Sequence, residues 1–190
     1  GLASPATDPF VIAVGGLEAT ADGFVVAEFT SHGDGVRNPD IAAPGAHIES
    51  LRAPGSFADI EHPEGFVDDQ RFLASGSSQS AAVASGVAAL LLDANPALTP
   101  DQVKAALIAS ATDLGGADST AVGAGVISAV DAARIDPADA PVQIWDRTEN
   151  MANVPQATGT VIVHFDPMGS TWMGSTWMGS TWMGSTWMGS

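Results

Sequence analysis

The stretch Ser75-Gly-Ser-Ser-Gln-Ser-Ala-Ala-Val-Ala-Ser-Gly-Val-Ala-Ala-Leu-Leu-Leu92 decides the reading of this chain. A Gly-Ser-Ser turn runs directly into an apolar segment made almost wholly of small residues. This predicts a helix from Ser78 to about Ala94, stopped by Asn95-Pro96. Its small residues, Ser80, Ala81, Ala82, Ala84, Ser85, Gly86, Ala88 and Ala89, point in nearly every direction. The expectation is a helix buried on most sides and closely approached by its neighbours. The same turn puts the hydroxyl of Ser78 at a helix N-terminus. There, free N–H groups and the positive end of the helix dipole stabilise negative charge. A serine nucleophile needs that setting when its attack creates an oxyanion. The plainer alternative is an N-cap serine.

The flanks bear on that choice. Ser4-Pro5-Ala6 and Pro9-Phe-Val-Ile-Ala-Val-Gly-Gly16 come first, then Phe29-Thr-Ser-His-Gly33 and Pro39-Asp-Ile-Ala-Ala-Pro-Gly45. Ser75 to Ser80 follows, and Asn95-Pro-Ala-Leu-Thr-Pro-Asp-Gln-Val-Lys104 closes the series. In this order and at these gaps, residues 1–135 resemble the C-terminal part of the catalytic domain of the subtilisin-like serine peptidases. The family's nucleophile motif, Ser-Gly-Thr-Ser-Met-Ala-x-Pro-His, maps onto Ser75 to Val83 and places the nucleophile on Ser78. Ser77, Gln79, Ser80, Ala82 and Val83 depart from it. None of these departures removes a triad member. Position 80 also differs from the Gly of the Gly-x-Ser-x-Gly elbow, which argues against an esterase-type hydrolase.

The resemblance implies an α/β fold: a parallel-sheet sandwich with helices on both faces, C-terminal portion only, followed by a low-complexity tail. It implies a serine endopeptidase acting on protein or peptide substrates, with Ser78 as nucleophile and Ser75 and Gly76 bordering the cleft. It also implies a cis proline at Pro5 beside the substrate pocket. The family's Asp, His and oxyanion Asn motifs come earlier in its chain order and are not found here. His32, His47, His62 and His164 read instead as structural or surface residues. No cofactor is required. A structural calcium is left open, because Asp40 falls where some members carry a carboxylate at a weak cation site.

The composition narrows the classes. Twenty-two acidic against 6 basic residues give a formal charge of −16, which argues against nucleic-acid binding. That balance suits a secreted or cell-envelope protein. Cysteine is absent, so disulfides and thiolate chemistry are excluded. Strands are expected at Phe10-Val-Ile-Ala-Val14, at 24–29 and at 40–44, with 46–50 extending the last. Residues 53–70, with Asp59, Glu61, Glu64, Asp68 and Asp69, read as a long polar surface loop. Thr99-Pro-Asp-Gln102 opens a further helix through a capping box.

Residues 136–167 read as a linker with one short strand near 160–165. From Met168 to 190 a Met-Gly-Ser-Thr-Trp repeat places Trp172, Trp177, Trp182 and Trp187 at a period that forms no apolar stripe on a strand or helix. This tail is expected to be disordered, and a cell-envelope contact through its tryptophans is the functional alternative. On that second reading the chain is a non-catalytic remnant whose working part is the tail.

Overall fold

The computed structural model describes residues 1–135; the expected linker, the strand near 160–165, His164 and the Trp repeat lie outside the described residues. The first sheet has three strands in the order β2-β1-β3: β1 is Val14–Thr20, β2 Gly23–Val26 and β3 Ile41–Pro44. β1 pairs with β2 antiparallel, Leu17 opposite Val26, and with β3 in parallel, Val14 opposite Ile41. A single parallel bridge from Ala42 to Val126 continues beyond β3.

The two faces of this sheet are covered by different helices. Ile41 joins a core with Ala84, Val87 and Leu91 of α2 (Ser77–Ala94), Val103, Ala106 and Leu107 of α3 (Pro100–Ala109), and Ala132. The next residue, Ala42, points the other way, as alternation along a strand requires. It packs with Leu17, Ala121 and Val122. The last two belong to α4 (Ser119–Val122), and Ala132 to α5 (Ala129–Ala132). Gly15 allows the close approach on the α4 side, since a Cβ there would lie 2.1 Å from the Ala121 carbonyl oxygen.

The expected strand at Phe10–Val14 is not formed: the ladder begins at Val14. The run is apolar, but the carbonyl of Val11 and those just before the run are taken by side chains, and backbone pairing with β3 starts only at Ala13 O. Pro9 O and Val11 O accept from Lys104 Nζ at 2.6 and 2.9 Å, and Arg37 Nη2 reaches Asp8 O and Val11 O at 3.1 and 3.2 Å.

Residues 46–50 do not extend β3. β4 (Ile48–Leu51) pairs antiparallel with β5 (Arg71–Ala74) as a separate two-stranded arm. The turn out of β3 is sharp, through Gly45 and His47, the latter at φ 54°. The segment between β4 and β5 is ordered by local bonds rather than being a simple loop. It holds α1 (Phe57–Glu61), capped by Ser56, and a 3₁₀ turn over Pro63–Gly65.

The capping box at the start of α3 forms as expected, with Thr99 Oγ1 accepting from Gln102 N and Gln102 Oε1 accepting from Thr99 N. α2 departs from expectation. Its buried residues are one stripe, Ser80, Ala84, Val87 and Leu91, while Ala81, Ala82, Ser85 and Ala89 are exposed and Leu90 is 62% exposed. Among the described residues β1, β3, α3 and α5 supply its main cover, and all of them contact that stripe's side. The small residues permit close approach in other directions, but nothing described here fills them.

Candidate active site

The site is built where β3 hands the chain to the start of α2. Gly45 has no room for a side chain: a Cβ at this position would stand 1.9 Å from Ser80 Oγ and 2.8 Å from the Gly76 carbonyl oxygen. Only glycine lets the β3 turn rest against the first turn of α2. The two are then joined by a hydrogen bond from Gly76 N to Gly45 O at 2.9 Å. Gly76 is the N-cap, with φ 156° and ψ 166°, a combination that L side chains rarely adopt. Its own carbonyl accepts from Gln79 N at 3.1 Å. Ser80 is fully buried beneath this turn, and its hydroxyl has no partner.

Ser78 is therefore the second residue of an 18-residue helix. Its N–H belongs to the first turn, where no carbonyl four residues earlier in the helix can accept it. Its side chain is exposed and lines a cavity of about 400 Å³. Ser4, Pro5, Val11, Ile12 and Val14 form the facing wall of that cavity. The Ser4–Pro5 peptide is cis, as the resemblance implies.

The other two expected site residues flank Ser78 differently. Ser75 is exposed, and its Oγ accepts the His47 N–H at 2.9 Å, so its hydroxyl ties the β3 exit loop to the approach to the helix. Ser75 also borders a second hollow of about 510 Å³ with His47, His62 and Phe72. Ser78 is not among the residues lining that hollow. Gly76 contributes backbone only.

The described histidines each face a carboxylate. His32 Nδ1 lies 3.4 Å from Asp118, His47 Nδ1 3.7 Å from Glu18 and His62 Nδ1 3.0 Å from Glu64. All three are more than half exposed, and none is bonded to Ser78. Asp118 is held below the usual carboxylate range, first by the Thr120 backbone N–H, then by the Thr120 hydroxyl and His32. This local arrangement caps α4 and does not prepare a general base.

Two acidic residues of the β4–β5 arm, Asp59 and Asp68, are engaged as well. Asp59 forms a fork with Arg52 at 2.6 and 2.9 Å and accepts from Gly55 N. Asp68 pairs with Arg71 at 2.8 Å. The Arg52 guanidinium also lies 4.9 Å above the Phe66 ring. Among the described residues there is no group of three or more His, Asp or Glu placed to hold a metal ion.

Asp40 has the most unusual surroundings. Arg37 grips its carboxylate with both Nη atoms, at 2.9 and 3.1 Å, Lys104 Nζ lies 3.2 Å from Oδ1, and the Ala13 N–H donates to Oδ2 at 2.7 Å. The sequence reading missed Arg37 and Lys104. The available signal was that Lys104 is the sole lysine of the chain, set between the core positions Val103 and Ala106.

Comparison with known proteins bears on the family and the fold. The model of the subtilase family matches residues 1–125. Serine protease AprX of Bacillus subtilis is 40% identical over 135 residues, covering 67% of this chain and 30% of that protein. Mycosin-1 of Mycobacterium tuberculosis is 38% identical over 141 residues, covering 72% of this chain and 29% of its own. The chain thus spans about a third or less of the length of these curated relatives. Among solved structures, fervidolysin from Fervidobacterium pennivorans, a keratinolytic enzyme related to subtilisin, superposes with a TM-score of 0.58. The identity is 28%, over 74% of this chain and 21% of that one. MycP1 from Mycobacterium smegmatis superposes with a TM-score of 0.53 at 30% identity, over 76% of this chain and 36% of that one. With the family model spanning well over half of its residues and a serine protease 40% identical over 135 residues, this chain belongs to the subtilase family.

Proposed function

We propose that this chain supplies the nucleophile of a serine endopeptidase and that Ser78 is that nucleophile. The observation that carries the reading is that Ser78 stands in the first turn of α2 and opens into the cavity walled by the cis Ser4–Pro5 segment. On this reading Ser78 Oγ attacks the carbonyl carbon of a peptide bond. Its proton passes to a histidine oriented by an aspartate, both contributed from outside these 190 residues. The carbonyl oxygen becomes an oxyanion, and the N–H of Ser78, unpaired within the helix, donates to it. An asparagine amide, also from outside the chain, supplies the second donor.

Ser75 and Gly76 take the substrate-binding role in this scheme. Gly76 brings the backbone close to the scissile bond without a side chain in the way. Ser75 fixes the approach through its bond with His47. The cavity wall of Pro5, Val11, Ile12 and Val14 suits an apolar substrate side chain. The chain taken alone is inactive on this reading, because one triad member without its base is a weak nucleophile. A secreted or envelope location fits the acidic composition. It also fits the likeness to MycP1 of the ESX-1 type VII secretion system.

The test is labelling by a fluorophosphonate probe, on the full-length enzyme and on the 190-residue chain. Labelling at Ser78 in the full-length enzyme but not in the chain is expected, together with loss of both labelling and peptide hydrolysis in Ser78→Ala. Undiminished hydrolysis by Ser78→Ala would remove the assignment.

A further inference from the structure

Residues 8–13, of which Val11, Ile12 and Ala13 line the cavity beside Ser78, belong to no strand and are held instead by side chains from elsewhere in the chain. Lys104 Nζ has three protons to donate. It donates to two carbonyls, Pro9 O at 2.6 Å and Val11 O at 2.9 Å, and forms an ion pair with Asp40 Oδ1 at 3.2 Å. Arg37 adds a two-pronged grip on Asp40 and reaches Asp8 O, Val11 O and Asn38 O. The Ala13 N–H completes the set on Asp40 Oδ2. The lysine and aspartate side chains are 8% and 11% exposed.

Loop carbonyls and a carboxylate converging on one point make the donor set that a hard cation takes from a protein. Here that point is filled by protein. Both Asp40 oxygens already serve donors, and the Pro9 and Val11 carbonyls face an ammonium. A metal cannot enter without displacing a buried lysine, so these residues do not fit a calcium ion at Asp40. Two side-chain cations stand in its place.

We infer that Lys104 and Arg37 are positioning residues that hold the pocket wall for catalysis without a bound metal. The clasped residues connect cis Pro5 to Val14, and Pro5, Val11, Ile12, Ala13 and Val14 all line the cavity that Ser78 opens into. The clasp reaches across the fold: Lys104 lies on α3, 95 residues from Pro9 in sequence. α3 therefore fixes residues 8–13, which belong to no strand. The effect on substrate rests on the reading of that cavity as the peptide-binding pocket; the clasp itself does not.

The experiment uses the full-length enzyme, its Lys104→Met variant and Arg37→Lys, which keeps the charge but loses the fork. Three quantities are measured with EDTA and with added calcium chloride: hydrogen exchange at the Ala13 amide, KM and kcat on a peptide substrate, and the fluorophosphonate labelling rate at Ser78. Ala13 exchange in the unaltered enzyme is expected to be indifferent to calcium. Lys104→Met is expected to speed that exchange by about 10-fold or more through local opening. It should raise KM by about 5–10-fold with kcat within about 2-fold, the signature of lost binding rather than lost chemistry. Arg37→Lys should move both quantities in the same direction by less, and it decides the matter if Lys104→Met does not fold. Exchange that rises on chelation alone, or that is unchanged in the variants, overturns the clasp. Faster exchange with KM unmoved overturns its positioning role. An unaltered enzyme that neither labels at Ser78 nor hydrolyses peptides defeats the peptidase reading instead, and the Ala13 exchange still decides the clasp.

Discussion

Two guanidinium–carboxylate forks in this molecule have nearly the same exposure and do different work. Arg37–Asp40 has side chains 21% and 11% exposed, and Arg52–Asp59 has 20% and 10%. Arg52–Asp59 closes a span of seven residues within the β4–β5 arm, and everything it bonds is local. Arg37–Asp40 is itself close in sequence, but it gathers in residues 8–13 and Lys104, joining the pocket wall to α3. The chemistry of a pair does not set its structural reach. What matters is how much chain would be released if the pair were lost, and how many buried partners would be stranded with it.

The sharpest way to break the contrast is Asp40→Asn. It strands Lys104 and Arg37 as buried cations without their counter-charge, a loss of about 3–5 kcal/mol. Denaturant unfolding measures it, and a shift no greater than that of Asp59→Asn would erase the distinction. Next in size is Gly45→Ala, which pushes a methyl group into Ser80 Oγ and the Gly76 carbonyl where β3 meets α2. Overpacking of this kind costs about 1–3 kcal/mol. Because the clash lies beside the start of α2, Ser78 labelling should fall along with stability. Labelling that survives a clear loss of stability would show that the helix start is set independently of the β3 turn.

The smallest effect concerns the arm. The Arg52 side chain and then the Gly55 N–H hold the Asp59 carboxyl below its ordinary 3.8, and Arg71 followed by the Gln70 N–H does the same for Asp68. A depressed carboxylate pKa stabilises the fold above the unfolded value. That contribution is lost as pH falls through 3.8 and on through the folded value. Proteolysis at low pH, with a protease active there, should therefore open residues 52–71 as the medium is taken from about pH 5 to below 3.8. Asp59→Asn should open the same residues at neutral pH, with a smaller fall in melting midpoint than Asp40→Asn. Cleavage spread evenly over residues 1–135 would contradict the local character of the arm.

The parts of the fold that were legible in sequence are those whose hydrogen bonds are local. The start of α2 follows from Gly76 and the serines after it. The start of α3 follows from Thr99, Pro100 and Gln102, all within one turn. The place of Ser78 in the first turn of α2 was legible because the motif is contiguous. Phe10–Val14 was misread because an apolar run looks the same whether its carbonyls meet a strand or a distant lysine. β4 was misread as an extension of β3 because its partner, β5, lies beyond the inserted α1 segment. The exposure of α2 was not legible either: small residues announce that neighbours can come close, and they do not say which neighbours the chain holds.

The solitary lysine has a consequence for chemistry done on this protein. Its ε-amino group is the only one in these 190 residues, and it is held by two carbonyls and the Asp40 carboxylate. Amine-directed crosslinkers, acyl donors and lysine-cleaving proteases thus meet a target that reacts only while α3 lets go of the pocket wall. The rate at which Lys104 becomes modified is then a clock for that opening, and it can be read from the mass of one peptide.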